Sequence, residues 1–546
     1  MKRAARSGGR LCYIYGMTNH HAWAGWKKRK WLPIGMGLGV WLAAALACNL
    51  PTAPRTDFAA TLAVEATLQS AEKTVAARIF PTLPPDVATP VAPAENTPAP
   101  AAPSEPLLPT PTAGPGDFVY LTQPGDTAAA LAGRFGVAPE QIINPSQYDI
   151  HAYLPVGQPL VLANTLGELS YRGVLLPDSE VIYSPAASDF SVEEYVSQAS
   201  GFLSTYQETV GDETLSGAEI IRKVALETSI NPRLLLAVLE YRSGWVWGRP
   251  ADPSQTAYPI GFYANEMTGL HKEITLVARQ LTIGYYGWRS GQVVELEFAN
   301  GSRARLDPTL NAGTVALQTL FSKLVGPGEL PGVLYGERGF VSRYLEWFGD
   351  PWQRSAAVGD LLPFGLQQPA LELPFPVGTR ISFTGGPHAA WGIGSPLGGI
   401  DFAPADVEKG CTVSRYWTTA AAPGVVARSE DGQVVLDLDG DGKEHTGWSL
   451  LYLHVAAFER VAAGTPVQTD DPLGHPSCEG GAATGTHVHL ARRYNGEWLA
   501  AAGPVPFVIS GWQVFPGERP YRGSMVKDDL VVTSRMDNAV TSIFTR

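Results

Sequence analysis

Gly485–Leu490 reads GTHVHL, and together with GGPH ending at His388, GGIDFAP around Asp401 and LYLHV around His454 it decides how the C-terminal third folds. Six of the ten histidines lie between His388 and His489. His487 and His489 are spaced i, i+2 among Thr, Val and Leu, which predicts a strand, and alternate side chains of a strand share one face. RISFTG before His388, GIDFAP at Asp401 and WSLLYLHV before His454 also have strand composition. Groups this far apart in sequence can meet only if a sheet assembles them.

A catalytic zinc site takes three nitrogen, oxygen or sulfur ligands and keeps one position open. His388, Asp401 and His489 offer two imidazoles and a carboxylate, leaving His454 and His487 close by and unliganded. A lone HxH or YxH arises often by chance. Four such motifs in strand-like context within about a hundred residues make a constellation. His445 and His475 read as loop or surface residues.

The segment from about Phe375 to Ser510 resembles the lysostaphin-type zinc endopeptidases that cut peptidoglycan cross-bridges, and among them the beta-lytic and staphylolysin branch. In the commoner branch a histidine stands four residues before the aspartate, where this chain has Leu397. In the staphylolysin branch the first histidine closes a GGPH motif thirteen residues before the aspartate, the spacing of His388 and Asp401. The resemblance implies His388, Asp401 and His489 as zinc ligands and His454 and His487 as the catalytic pair. Zinc acts as a Lewis acid and makes a water nucleophile available near neutral pH. No HExxH glutamate occurs, so His454 and His487 are the groups expected to accept a proton and stabilise the oxyanion.

With 546 residues the chain is too long for one core and predicts about three or four domains. Lys and Arg number 40 against 52 Asp and Glu, a formal charge of −12, which disfavours nucleic acid as a partner. Of the four cysteines, Cys411 and Cys478 both fall inside the peptidase-like segment, and in an exported protein they are expected to pair.

KKRK at Lys27–Lys30 followed by WLPIGMGLGVWLAAALA forms an export signal within residues 1–48. ALAC resembles a lipoprotein cleavage box, which would make Cys48 the lipidated first residue and the membrane a partner; a plain secretory signal or an uncleaved anchor is the competing reading. Residues 49–116 are rich in Pro, Ala and Thr and read as an extended spacer.

Phe118–Leu162 predicts a strand, a helix opened by Asp126 or Thr127, a second helix and a closing strand. This β-α-α-β unit (117–163) resembles a LysM module, with Gly125, Asp126, Thr127, Asn144 and Gly157 as matching residues. The resemblance implies binding of N-acetylglucosamine-containing glycan, with Gly125, Asp126, Thr127 and Asn144 as candidate contacts.

Residues 170–369 carry apolar residues at helical spacing, broken at INP before Arg233, and are expected to form a mainly helical domain. INPRLLLAVLEYRSGW resembles the helix bearing the catalytic glutamate of lytic transglycosylases. There the acid precedes Ser-Gly, where this chain has Arg242, and Glu240 sits about 200° away on a helix, so no muramidase activity is expected. DLDGDGKE (Asp437–Glu444) opens like a calcium loop, but Trp448 stands where the bidentate glutamate belongs, so an acidic hairpin turn is expected.

The expected architecture is thus multidomain α+β: a LysM unit, a helical middle, an antiparallel β-rich metallopeptidase domain (375–515) and a tail (516–546). The expected protein is exported to the cell surface or beyond, anchored twice, by lipid to the membrane and by LysM to the wall, and hydrolyses peptide cross-links of peptidoglycan as a zinc endopeptidase; a non-hydrolytic wall-binding regulator or tether on the same fold is the rival.

Overall fold

The computed structural model describes residues 117–142, 152–167, 169–537 and 540–546. The expected signal, Cys48, the spacer and Asn144 lie outside the described residues.

The N-terminal unit pairs β1 (Phe118–Leu121) antiparallel with a closing strand, β2 (Pro159–Leu162), around α1 (Ala128–Phe135). Thr127 caps α1 by accepting from the Ala130 amide, and Gly136, at φ 65°, ends it. Tyr120, Leu131, Phe135, Leu154 and Leu162 fill its small core. Where a second helix is expected, the described residues hold one 3₁₀ turn, Pro139–Gln141.

The middle of the chain is mainly helical, with two short hairpins. A reciprocal cap between Ser216 and Glu219 starts α2 (Gly217–Thr228). The INP turn follows, and Asn231 caps α3 (Pro232–Ser243), with Pro232 in its first turn. Leu234 through Leu239 are all fully buried, so α3 is apolar on every side and runs through the centre of the domain. α4 (Leu270–Arg289) and α5 (Ala312–Ser322) complete the core.

The C-terminal domain is built on one antiparallel sheet. Its strands are β3 (Arg380–Ala389), β4 (Leu397–Pro404), β5 (Gly424–Glu430), β6 (Gln433–Asp437), β7 (Trp448–Leu453), β8 (Pro466–Val467), β9 (Val488–Tyr494) and β10 (Ile543–Thr545). They lie in the order β8-β5-β6-β7-β9-β4-β3-β10. Alternation then sorts the side chains. Ile400, Phe402, Val434, Leu436, Leu450, Tyr452, Val488 and Leu490 turn to the domain's own core. Val435, Leu451 and Ala491, one residue out of phase, join the core of the helical domain instead. Both faces of the sheet are therefore covered, and the second face also carries the alternate residues Asp401 and His489.

The described residues of 516–546, expected as a tail, are folded. Gly523–Lys527 and Leu530–Thr533 belong to a second, four-stranded sheet, and β10 closes the main sheet by pairing Ile543 with Ser382. Strand pairing with distant partners overrides what local sequence suggests there. No helix among the described residues is long and apolar enough to cross a membrane.

Candidate active site

Strand register brings the predicted ligands together. Asp401 on β4 lies opposite His489 on β9, and β3 places Gly385 opposite Asp401 and His388 opposite Gly399. The β3/β4 ladder shifts register on both sides of Gly385 and again at His388, a bulged geometry that re-aims side chains near the end of the strand. His388 Nε2 is 2.9 Å from His489 Nδ1, and these two nitrogens lie 3.3 and 3.2 Å from Asp401 Oδ1. All three residues are buried.

The outer ring nitrogens decide what the inner ones present. His388 Nδ1 is 2.9 Å from the Gly386 carbonyl and His489 Nε2 is 3.0 Å from the Ala390 carbonyl, so each outer nitrogen donates and each inner one keeps a lone pair. Two imidazole lone pairs and a carboxylate converging this closely suit a borderline divalent cation such as zinc. Space around them is reserved by glycine. A Cβ on Gly385 would stand 2.2 Å from Asp401 Oδ2, and one on Gly399 would stand 2.1 Å from His489 Cε1. Burial pushes the Asp401 carboxyl up, but the neighbouring imidazoles of His388 and His489 outweigh it and hold the group well below the usual range. Burial draws the His388 imidazole down, and its contact with Asp401 carries it above the ordinary value.

His454 and His487 stand beside this cluster, ring centroids 4.5 Å apart. His454 follows β7 with φ 70°, a left-handed conformation costly for a non-glycine residue, and its Nδ1 is 2.8 Å from the Glu479 carbonyl. The strain is held by Ser477, whose amide and hydroxyl both donate to the His454 carbonyl. The disulfide Cys411–Cys478 fastens that same segment. His487 Nδ1 is 2.7 Å from the Gly485 carbonyl, which leaves Nε2 free to face Asp401 Oδ1 at 3.8 Å. Burial and the neighbouring His487 push His454 down to about 4, so it is a neutral acceptor at neutral pH.

Tyr521 is part of the site and was not marked by the sequence. Its ring stacks on His388 at 4.1 Å and 19°, and its backbone is tied to the GGPH segment through Pro387 and Gly386. The residue belongs to the stretch expected as a tail, where the local pattern PYRG signals only a turn.

Other predicted positions serve the framework. Asp126 is 1% exposed, and its oxygens accept from Tyr120, the Gln123 amide and Arg134. Thr127 is the α1 cap, and Gly125, at φ 81°, lies where a Cβ would strike the Arg289 guanidinium. Among the expected glycan contacts, Asp126 and Thr127 thus also have framework roles in this unit. Gly157, at φ 78°, sits in a turn.

Glu240 accepts from the Val246 and Trp247 amides and closes the turn after α3. Asp437 and Asp439 form the acidic turn between β6 and β7, where burial and Asp439 push Asp437 up to about 6. His445 and His475, expected as loop or surface residues, lie in loops and are both buried. His445 stacks on Tyr183, and His475 packs between Trp417 and Phe458 with its nitrogens on the Tyr416 carbonyl and Glu459.

A family profile described as "LasA, N-terminal domain" matches residues 174–362, the helical middle of the chain. The chain is 26% identical over 361 residues to Protease LasA from two strains of Pseudomonas aeruginosa, a match covering 62% of this chain and 79% of that protein. Among solved structures, the M23 metalloprotease pseudoalterin is 21% identical, with 33% of this chain and 99% of that one covered at a TM-score of 0.27. The lysostaphin catalytic domain from Staphylococcus simulans is 20% identical, with 22% and 89% covered at a TM-score of 0.17.

Proposed function

We propose that this chain is a zinc-dependent endopeptidase that hydrolyses peptide cross-links of bacterial peptidoglycan. The observation that carries the reading is the pair of bare imidazole nitrogens, His388 Nε2 and His489 Nδ1, 2.9 Å apart beside Asp401. The similarity to Protease LasA supports a peptidase.

Zinc held by His388, Asp401 and His489 would supply Lewis-acid polarisation of a peptide carbonyl and a water nucleophile at neutral pH. The chain's own residues do the rest. His454, neutral and strained into place, takes up a proton through the ring nitrogen not bound to Glu479. His487, with Nδ1–H on the Gly485 carbonyl, donates from Nε2 to the developing oxyanion in its imidazolium form. Tyr521, 46% exposed, walls the site on the His388 side and presents its hydroxyl to substrate. Residues 27–48 support export, with Cys48 as the proposed lipid anchor, and residues 117–163 are the proposed wall-targeting unit.

His489→Ala tests the assignment. Stoichiometric zinc by elemental analysis and clearing of purified walls are expected of the parent and should both be lost in the variant, with muropeptides released by the parent identifying the bond. A variant that clears walls as fast as the parent ends the peptidase reading; a parent that binds walls without releasing fragments favours the regulator.

A further inference from the structure

Helix α4 of the helical domain meets the framework of the metal ligands at two places. Between β3 and β4 the chain makes a closed loop, residues 390–396, in which the Ala390 amide donates to the Pro396 carbonyl and the Trp391 amide to the Ser395 hydroxyl, each at 2.9 Å. This loop supplies the Ala390 carbonyl that stands 3.0 Å from His489 Nε2. Gly394, at φ 98°, rests directly on α4. A Cβ there would lie 2.8 Å from Ile283 Cγ1 and 2.9 Å from the Ile283 backbone nitrogen. Ala390 is fully buried within the core of the helical domain, and Trp391 packs against the same core.

The second contact is with the strand that carries His489. Near its end β9 pairs with the short strand Glu497–Trp498, Arg493 lying opposite Trp498. The Trp498 amide donates to the Tyr286 hydroxyl at 2.9 Å. Glu497 accepts from the Tyr285 hydroxyl at 3.0 Å and is paired with Arg289 at 3.0 Å. Tyr285, Tyr286 and Glu497 are all buried.

Residues 283–289 of α4 thus brace both the strand of His489 and the carbonyl that orients its ring. A group that holds the outer nitrogen of a metal-binding histidine fixes where the inner lone pair points, and losing it costs about 10–100-fold in metal affinity. Close-packed contacts pass a displacement on instead of absorbing it. A shift of α4 must therefore reach the imidazole.

We propose that docking of α4 and metal binding are coupled: the helical domain sets His489 for its cation, and the bound cation tightens α4 onto the sheet. The proposal rests on His388, Asp401 and His489 being the metal site. Coupling between two sites is reciprocal and changes affinity about 5–150-fold. Competition with a chromogenic chelator reads the zinc affinity of the full chain, and amide hydrogen exchange with and without zinc reads α4. Affinity is expected to fall at least about fivefold in Ile283→Ala, which removes the side chain resting on Gly394, and in Tyr286→Phe, which keeps the ring and leaves the Trp498 amide unpaired. Leu234→Ala opens a gap in α3 of the same domain, away from both contacts, and should lower the melting temperature with zinc affinity unchanged. Zinc should slow exchange over residues 283–289 in the parent and not in His489→Ala. The coupling is overturned if Ile283→Ala and Tyr286→Phe bind zinc as tightly as the parent, if Leu234→Ala weakens binding as much as they do, or if zinc leaves exchange in α4 unchanged. A chain that binds zinc and clears walls without these responses sinks the coupling alone, whereas a parent that binds no zinc removes the peptidase reading as well.

Discussion

Gly399 carries no functional group, yet it reserves the space in which the His489 imidazole of the candidate metal site sits. With a Cβ placed 2.1 Å from His489 Cε1, Gly399→Ala must displace the imidazole or open the β4/β9 ladder. The expected result is at least a tenfold loss of zinc affinity, read by competition with a chromogenic chelator, in a variant whose far-ultraviolet dichroism is unchanged. His454 makes a different prediction. A proton acceptor held near 4 by burial and by His487 is competent down to more acidic pH than a free imidazole near 6.5. The acid limb that His454 contributes to kcat/KM should therefore lie near pH 4, and relieving its burial should move that limb upward. The His388, Asp401 and His489 types were legible because metal chemistry restricts the choice of residue. Tyr521 was not, because a tyrosine in a turn has many uses and only its stacking on His388 singles one out.

Among the elements, β5, β9 and the turn before β7 are joined by a buried charge triad. Glu444 accepts from Arg428 Nε at 2.7 Å and from Arg493, and all three side chains are at most 8% exposed. Burial would raise the Glu444 carboxyl, but the two guanidinium groups win and hold it at about 2, below its ordinary 4.5. A depressed carboxyl stabilises the fold fully above about pH 4.5 and loses that contribution as pH falls toward 2. Glu444→Gln should cost about 3–5 kcal/mol at pH 7, because two buried cations lose their partner. Chemical denaturation at several pH values should show a shallower acid slope in the variant than in the parent. The disulfide acts on another pair of segments. Closing a separation of 67 residues, Cys411–Cys478 is worth about 4 kcal/mol in chain-entropy terms. Reduction should lower the melting temperature and also reduce activity, since Ser477 and Glu479 hold His454. The strands themselves could be read from their β-branched and aromatic composition. The ladder shifts at Gly385 could not, since register is settled between strands and not within one.

Across the whole molecule, the helical domain and the sheet share a core through Val435, Leu451, Ala491 and Trp498, on the face that also bears Asp401 and His489. Ala491 is fully buried at this junction, so Ala491→Glu should place an unpaired charge there and uncouple the two parts. Calorimetry is expected to resolve two transitions in place of one. The N-terminal unit is docked in the same manner. Arg134 donates to the Trp288 carbonyl and lies 4.7 Å from the indole ring, while Arg305 donates to the Arg134 carbonyl. A unit fastened this way is an integral layer of the molecule, although its sequence reads as a free-standing module.

By itself the sequence determined many of the strand and helix segments, the cap at Thr127, the break at INP, and the chemical kinds of residue gathered in the C-terminal third. Those properties are local or compositional, set by side-chain period, hydrogen-bonding type and ligand preference. Tertiary structure alone decided that Asp126 is spent on Arg134, that residues 516–546 close the sheet and deliver Tyr521, and that the helices lie on the site-bearing face. Each depends on which distant surfaces bury one another, and burial between segments hundreds of residues apart leaves no mark on either segment read alone.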